Sequence, residues 1–183
     1  SGELREGKGT RFEGGFRVPC VMRWPGKIPE GSVCDELASS MDLLPTIACL
    51  VGTAVPSDRI IDGKDIRPLM FAAPGAVSPH ETFYYYGGGN LDGIRSGKWK
   101  LMFPQSYTVP SPAGKDGIHG ERGSKQMELS LFDLDKDVGE RRNVAALYPE
   151  VVKELETLAE QARRDLGDGN EVTGANRRPV GRL

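Results

Sequence analysis

The sequence has no strong charge of either sign, since its 24 lysines and arginines nearly balance 26 aspartates and glutamates, for a formal net charge of -2. Proteins that bind nucleic acid or an anionic membrane usually carry a clear basic excess. No apolar run approaches the roughly 20 residues of a transmembrane helix, and the first residues are rich in Gly, Glu and Arg, unlike a signal peptide. We therefore predict neither a nucleic-acid partner nor a membrane partner.

Cysteine and histidine are scarce, with three and two residues respectively. Cys20, Cys34 and Cys49 show no Cys-x-x-Cys spacing and lie among apolar or mixed neighbours, so we predict small core residues and no disulfide. The acidic residues of 58–65 lack the alternating carboxylates that a helix-loop-helix calcium site needs. We therefore predict no metal site in this chain.

The first part of the chain has the pattern of an α/β domain. Residues 16–24 are rich in apolar side chains and end at Pro-Gly, which predicts a buried strand. Asp42 can cap a helix that runs to Val51, because Pro45 falls in the first turn. We expect the leucines and the isoleucine of that helix to be buried.

Residues 72–79, rich in Ala, Pro, Gly and Ser, form the candidate boundary between two parts. Beyond it, four short runs with alternating or β-branched residues predict an antiparallel sheet: 82–86, 92–96, 99–103 and 129–134. Residues 149–166 carry the apolar stripe of a helix that stops at Gly167 and packs on this sheet. The tail, 168–183, has no apolar period, and we predict it to be extended or disordered.

We predict that residues 104–127 form a long irregular loop. Loops of this length are usually functional or mobile. Two interpretations remain open: a mobile surface loop with incidental basic residues, or a lip over a polar substrate. His119 lies in this segment and is a candidate substrate contact. No second ligand stands at metal spacing from it, and we predict that His80, like His119, is an exposed loop residue.

Residues 7–19 are the stretch that points most directly to chemistry. Gly7 and Gly9 flank Lys8, and two more glycines follow Glu13, so the backbone can adopt positive φ and approach a ligand closely. The ammonium group of Lys8 can neutralise one oxygen of a sulfate or phosphate group. Taken alone, this pattern fits either a solvated structural turn or an anion-binding loop.

The longer string Gly-Lys-Gly-Thr-x-x-Glu-Gly-Gly-x-Arg-Val-Pro, followed by Trp-Pro-Gly, resembles a segment late in the catalytic domain of sulfatases. Further motifs in the same order resemble the arylsulfatase A and N-acetylgalactosamine-6-sulfatase group: Asp-Leu-Leu-Pro-Thr at 42–46, Ile-Asp-Gly-Lys-Asp at 61–65, Arg-Ser-Gly-Lys-Trp-Lys at 95–100 and Leu-Phe-Asp-Leu at 131–134. Several spaced motifs in order are more specific than any one of them. The resemblance spans nearly the whole chain.

The resemblance implies an alkaline-phosphatase-like α/β sulfatase fold, of which this chain would be the C-terminal part. Residues 1–72 would hold the last strand and helix of the large α/β domain. Residues 80–167 would form a small α+β subdomain, a four-stranded antiparallel sheet with a C-terminal helix. The complete protein would hydrolyse sulfate esters, either aryl sulfates or sulfated sugars, in a periplasmic or secreted location. Lys8 would bind the sulfate as charge moves toward the leaving group.

The family's nucleophile is a formylglycine made within Cys/Ser-x-Pro-x-Arg, and a calcium ion held by aspartates and an asparagine binds the sulfate. Neither motif occurs here, so the resemblance implies that a missing N-terminal part supplies both and that this chain alone is inactive. Met102 stands where the group commonly has a histidine. Two alternatives remain: a phosphate- or phosphonate-ester hydrolase of the alkaline phosphatase superfamily, and a non-catalytic remnant or binding module.

Overall fold

The structure is a computed structural model, and it describes residues 2–110, 114–116, 118, 120–169 and 178. The chain divides into two units, of which unit 1 comprises 1–18 with 82–183 and unit 2 comprises 19–81. The break at residue 81 lies just past the predicted linker, whereas the first 18 residues group with the C-terminal half. The domain bounds predicted from the sequence refer to the complete protein and stay a prediction.

All the described strands lie in unit 1, whereas the described regular structure of unit 2 is helical. The helices are α1 (Glu13–Phe16), α2 (Leu43–Leu50), α3 (Arg67–Met70) and α4 (Pro149–Leu166), with 3-10 turns at Ser40–Asp42 and Ala145–Leu147. The strands are β1 (Thr82–Gly87), β2 (Asn90–Ser96), β3 (Trp99–Met102), β4 (Gln105–Pro110), β5 (Arg122–Met127) and β6 (Ser130–Asp133). No helix of the described residues is both long enough and apolar enough to cross a membrane.

A four-stranded antiparallel sheet in the order β1-β2-β3-β6 forms the centre of unit 1, which confirms the predicted meander. Its register places Ile94 opposite Leu101 and Leu101 opposite Leu131, so three completely buried side chains form one row across the sheet. The β2–β3 turn contains Gly97 at φ +53, a conformation that residues with a Cβ rarely adopt. The residue pattern of the four predicted runs and the glycine in the turn therefore account for this sheet.

Helix α4 covers that row, as its apolar stripe predicts. Its buried residues recur at helical spacing and belong to the same core cluster as the sheet row: Val152, Leu155, Ala159 and Ala162. Gly167 ends the helix at φ +90, where its N–H donates to the carbonyl of Arg163 at 2.8 Å. The predicted tail after Gly167 lies largely outside the described residues.

The irregular loop predicted at 104–127 was wrong for 105–110 and 122–127, which form strands. Strands β4 and β5 pair in an antiparallel two-stranded sheet. One of its faces buries Tyr107, Val109 and Met127 in a cluster with Phe12, whereas the polar residues of the other face are exposed. Polar residues dominate β5 and have weak strand propensity, so the pairing with β4 decides its conformation.

The predicted strand at 16–24 was also wrong. Residues 17–24 have no regular structure, and Val18 and Val21 are 80% and 94% exposed. A strand needs a neighbour for its backbone N–H and C=O groups, and none of the described strands pairs with this segment.

Helix α2 forms where the sequence predicts it, but it buries a different face. Thr46 and Ala48 are buried, whereas the leucines and the isoleucine that we expected inside are exposed: Leu43, Leu44 and Ile47. The hydroxyl of Thr46 accepts a hydrogen bond from the Ile66 N–H at 3.0 Å, so a polar contact orients this helix. The three cysteines are exposed and not core residues, which corrects that prediction: Cys20, Cys34 and Cys49.

Asp42 organises unit 2 from a completely buried position. Its carboxylate accepts the N–H groups of Ser39 at 2.7 Å and Lys64 at 2.8 Å. The Nε2 atom of His80 lies 2.7 Å from Asp42 Oδ1, and only 10% of the His80 side chain is exposed. His80 is therefore a structural partner of Asp42 and not the exposed loop residue that we predicted.

We predict that Leu155→Ala lowers the free energy of unfolding by about 2–5 kcal/mol, because this leucine is 2% exposed beneath the sheet row. The measurement is urea denaturation of the purified chain. Leu147→Ala is the control, since the same truncation at a 61% exposed leucine should cost less than about 0.5 kcal/mol. Equal effects of the two substitutions would contradict the packing of α4.

Candidate functional site

Lys8 lies at the apex of a tight turn. The carbonyl of Gly7 accepts both the N–H of Thr10 at 3.1 Å and its hydroxyl at 2.9 Å, and Gly9 has φ +94. A four-residue turn with positive φ at its third residue favours glycine there. The Lys8 side chain is exposed, and no described residue forms an ion pair or hydrogen bond with it. The turn therefore presents to solvent an ammonium group that pairs with none of the residues that the structure describes.

Helix α1 packs against this turn so closely that its two glycines have no room for a side chain. A Cβ on Gly15 would lie 2.3 Å from the carbonyl oxygen of Thr10. A Cβ on Gly14 would lie 2.4 Å from the carbonyl oxygen of Arg5. The Gly-Gly pair therefore brings the backbone of α1 against the loop that carries Lys8.

A buried ammonium group fixes the base of the loop. Lys100 of β3 is completely buried, and its Nζ lies 2.9 Å from Glu13 Oε1 and 2.8 Å from Glu140 Oε1. The same Nζ donates a hydrogen bond to the carbonyl oxygen of Arg11 at 2.8 Å. One side chain thus joins the Lys8 loop, the central sheet and the turn before Arg141.

Neighbouring groups contact the two carboxylates. Glu13 accepts hydrogen bonds from the Tyr85 hydroxyl at 3.0 Å and from Arg17 Nε at 2.6 Å. Glu140 accepts the N–H of Glu13 at 2.7 Å, and its own carbonyl accepts Arg5 Nη1 at 2.7 Å. Buried charges are tolerated when they are paired and hydrogen-bonded. In this group, which we call the Lys100 network, the charges are paired, although Glu140 Oε1 has no hydrogen bond with any described residue and contacts Lys100 through the ion pair alone.

The two carboxylates of the Lys100 network differ in acidity. Burial alone would raise the pKa of Glu13, but Lys100 and Arg17 together outweigh it and hold the pKa below its usual value. Burial raises the pKa of Glu140 above its usual value, because Lys100 compensates only in part. Burial and the adjacent Glu13 also raise the pKa of the Tyr85 hydroxyl. Glu13 is therefore the more firmly ionised partner of Lys100.

Of the two candidate substrate contacts, the structure describes only Lys8, because His119 lies outside the described residues. The residue that sequence reasoning missed is Lys100, the anchor of the loop. The sequence feature that could have revealed Lys100 is a lysine placed between Trp99 and Leu101 in a strand that is otherwise apolar. Met102 is buried in the cluster around Phe12.

Two family models match the chain. One describes the C-terminal region of aryl-sulfatase and matches residues 78–180. The other describes the C-terminal part of N-sulphoglucosamine sulphohydrolase and matches residues 7–106. Each model covers more than half of the 183 residues.

Individual proteins agree with these models. The chain is 44% identical to an arylsulfatase of Hemicentrotus pulcherrimus, over 92% of this chain and 33% of that protein. It is 40% identical to arylsulfatase A of Bos taurus, over 88% of this chain and 34% of that protein. A solved structure of the PsFucS1 sulfatase from Pseudoalteromonas sp. matches 86% of this chain and 31% of its own, with a TM-score of 0.71 at 24% identity, which shows the fold alone. The chain spans about a third of the length of these relatives.

We predict that Lys100→Met lowers the free energy of unfolding by about 3–5 kcal/mol at neutral pH, because it leaves two buried carboxylates without their shared cation. Without the lysine the pKa values of both carboxyls rise, so the folded state binds protons more readily than the unfolded chain. The loss should therefore be smaller near pH 5 than near pH 8 in urea denaturation.

The control for this variant is Lys125→Met. The Lys125 side chain is 53% exposed and pairs with Glu6 at 3.0 Å, and an exposed pair contributes at most about 1 kcal/mol. A Lys100→Met loss that is as small as that of the control, or that does not depend on pH, would contradict the role assigned to the network.

Proposed function

This chain belongs to the sulfatase family, and we propose that it forms the C-terminal portion of a sulfate-ester hydrolase, to which it supplies Lys8 as a sulfate-binding residue. Its four-stranded antiparallel sheet with a C-terminal helix is that of the sulfatase C-terminal subdomain. The observation that carries the proposal is the exposed ammonium group of Lys8, which pairs with no described residue, on a turn whose base is buried and ion-paired. Both matching family models are sulfatase models, which favours a sulfate ester over a phosphate or phosphonate ester.

The chemistry of the turn suits an anion. Gly7 and Gly9 leave space on both sides of Lys8, where an added Cβ would meet nothing within 4 Å. An ammonium group placed against a sulfate oxygen stabilises the negative charge that develops as the bond between sulfur and the leaving-group oxygen breaks. Such stabilisation is effective when the cation is held in place beforehand, and the Lys100 network holds the base of this loop.

The described residues do not fit the calcium ion that the family resemblance implies, since they contain no group of three His, Cys, Asp or Glu side chains that could hold a metal. We therefore propose that the calcium ligands and the formylglycine belong to an N-terminal part of the complete protein. The substrate would be an aryl sulfate or a sulfated sugar. A periplasmic or secreted location stays a proposal from the same resemblance.

We predict that Lys8→Ala in the complete, formylglycine-containing enzyme lowers kcat by roughly 10²–10³, the loss expected for one donor to a developing oxyanion. Lys8→Arg should restore activity only in part, because a planar guanidinium differs in shape from a compact ammonium group. The measurement is steady-state hydrolysis of a chromogenic aryl sulfate.

Lys153→Ala is the matched control, since Lys153 is an exposed lysine of α4. It should leave kcat unchanged, and circular dichroism should show that all three variants are folded. Full activity of a folded Lys8→Ala enzyme would show that residues 7–10 form a structural turn only, and the proposed role of Lys8 would fail.

We also predict that the 183-residue chain alone shows no turnover of an aryl sulfate, with or without added calcium. It contains no Cys/Ser-x-Pro-x-Arg sequence to provide the nucleophile. The measurement is release of the chromogenic alcohol over an extended incubation. Hydrolysis that is abolished by Lys8→Ala would mean that this chain holds a complete active site.

A further inference from the structure

The side chain of Arg11 reaches back along the loop that carries Lys8. Its Nη1 donates a hydrogen bond to the carbonyl oxygen of Gly9 at 2.9 Å. Its Nε lies 2.7 Å from Oδ2 of Asp92 on β2, in a pair whose side chains are only 23% and 13% exposed. One guanidinium group thus connects the turn to the central sheet at a point separate from Lys100.

The sheet leaves a space that this guanidinium fills. A Cβ on Gly87, at the end of β1, would lie 1.5 Å from Nη2 and 2.0 Å from Cζ of Arg11. No side chain could stand at this position with Arg11 where it is. The absence of a side chain at Gly87 and the carboxylate of Asp92 together form a socket for Arg11, which we call the Arg11 socket.

We propose that Arg11 is a positioning residue that acts through Lys8, an inference that rests on the proposed sulfate-binding role of that lysine. Glycine is conformationally permissive, so the peptide group between Gly9 and Thr10 needs restraints. Its N–H donates to the Gly7 carbonyl, and Arg11 holds its carbonyl oxygen from the other side. The hydrogen bond from Arg11 fixes the Gly9 carbonyl, and the ion pair with Asp92 fixes Arg11. The Arg11 socket thereby holds the direction in which Lys8 points.

The geometry requires the fork of a guanidinium group. Nη1 donates to the Gly9 carbonyl, while Nε lies 2.7 Å from Asp92 Oδ2 in an ion pair and has no hydrogen bond among the described residues. Two nitrogens of one rigid plane thus contact two acceptors. A lysine at this position offers a single nitrogen on a flexible stem and cannot span both acceptors in the same way. A positive charge at position 11 is therefore insufficient to position Lys8 without the shape of a guanidinium group.

The test is a double-mutant cycle in the complete enzyme with an aryl sulfate. Arg11→Gln should lower kcat by about 10–100-fold, the scale of a small misplacement of a reacting group, with a smaller change in KM. In the Lys8→Ala background the same substitution should have no further effect, because residues that act through one another are not additive. Arg11→Lys should restore less than half of the lost activity.

A second variant moves Arg11 without changing its chemistry. Gly87→Ala should lower kcat like Arg11→Gln, since the added methyl group occupies the guanidinium position. Gly88→Ala is the matched control: its Cβ would meet nothing within 4 Å, although φ +60 imposes strain on the same β1–β2 turn. Gly88→Ala should lower the melting temperature and leave kcat unchanged, which separates strain in this turn from displacement of Arg11.

The possible results separate the two proposals. If Lys8→Ala loses activity while folded Arg11→Gln and Gly87→Ala enzymes keep wild-type kcat, the positioning role is wrong and the sulfate-binding role stands. Equal losses from Arg11→Gln with and without Lys8 would also overturn it, because they would show a structural effect independent of Lys8. Full activity of Lys8→Ala would overturn both. If Arg11→Gln fails to fold, the comparison of Gly87→Ala with Gly88→Ala tests the positioning role instead. Gly87→Ala is then also combined with Lys8→Ala, and a further loss of kcat in the double variant would overturn that role.

Discussion

The ion pairs of one buried ammonium group, Lys100, determine how the segment with Lys8 is held. Two carboxylates, Glu13 and Glu140, converge on it, and its third contact is a backbone carbonyl. Removing charges from water costs several kcal/mol per ion, so such a cluster persists only with nearly complete pairing. The second oxygen of Glu13 meets Arg17, whose side chain is half-exposed, so the excess negative charge is compensated at the edge of the cluster.

The loop that carries Lys8 has a buried, ion-paired end at residues 12–13 and an exposed end at residues 8–9. Phe12 and Glu13 are buried, whereas Lys8 and Gly9, only a few residues earlier, are exposed. A residue that binds an anion must be open to it, yet its position must be set before the anion arrives if it is to stabilise developing charge. The buried charges lie apart from the exposed Lys8, so they would not compete for it with the proposed anion.

The sequence predicted the central sheet and α4 because their signals are local and their partners lie in the same unit. The strand and the buried leucines expected in residues 16–51 failed for the opposite reason: periodicity marks apolar residues such as Val21 and Leu44 but not what covers them. Strand β5 was missed because its polar residues form a strand only through their pairing with β4. Lys8 could be singled out because the string in residues 7–19 that resembles sulfatases is a local signal, whereas the glycine spacing alone also fitted a structural turn.

Lys100 shows the limit of that kind of prediction. Lysine is almost never completely buried without a partner, and its two partners, Glu13 and Glu140, lie far away in sequence and on different segments. Each of them alone has the pattern of an ordinary surface charge. Only the fold brings the three together, so a sequence can suggest Lys8 as the proposed anion-binding residue while concealing Lys100, the lysine that anchors its loop.

Lys100 and Arg11 restrain the loop in different ways. Lys100 binds the carbonyl of Arg11, so it fixes the backbone from which the Arg11 side chain starts. That side chain then returns toward the turn and binds the carbonyl of Gly9. Arg11 is therefore one connection between the core and the turn. Lys100 contributes to the stability of the fold, and Arg11 restrains the direction of Lys8. The Arg11–Asp92 pair is mostly buried, so the cost of removing its charges from water offsets much of their attraction. The contact is therefore better explained by the geometry that it imposes on Gly9 than by the energy that it adds.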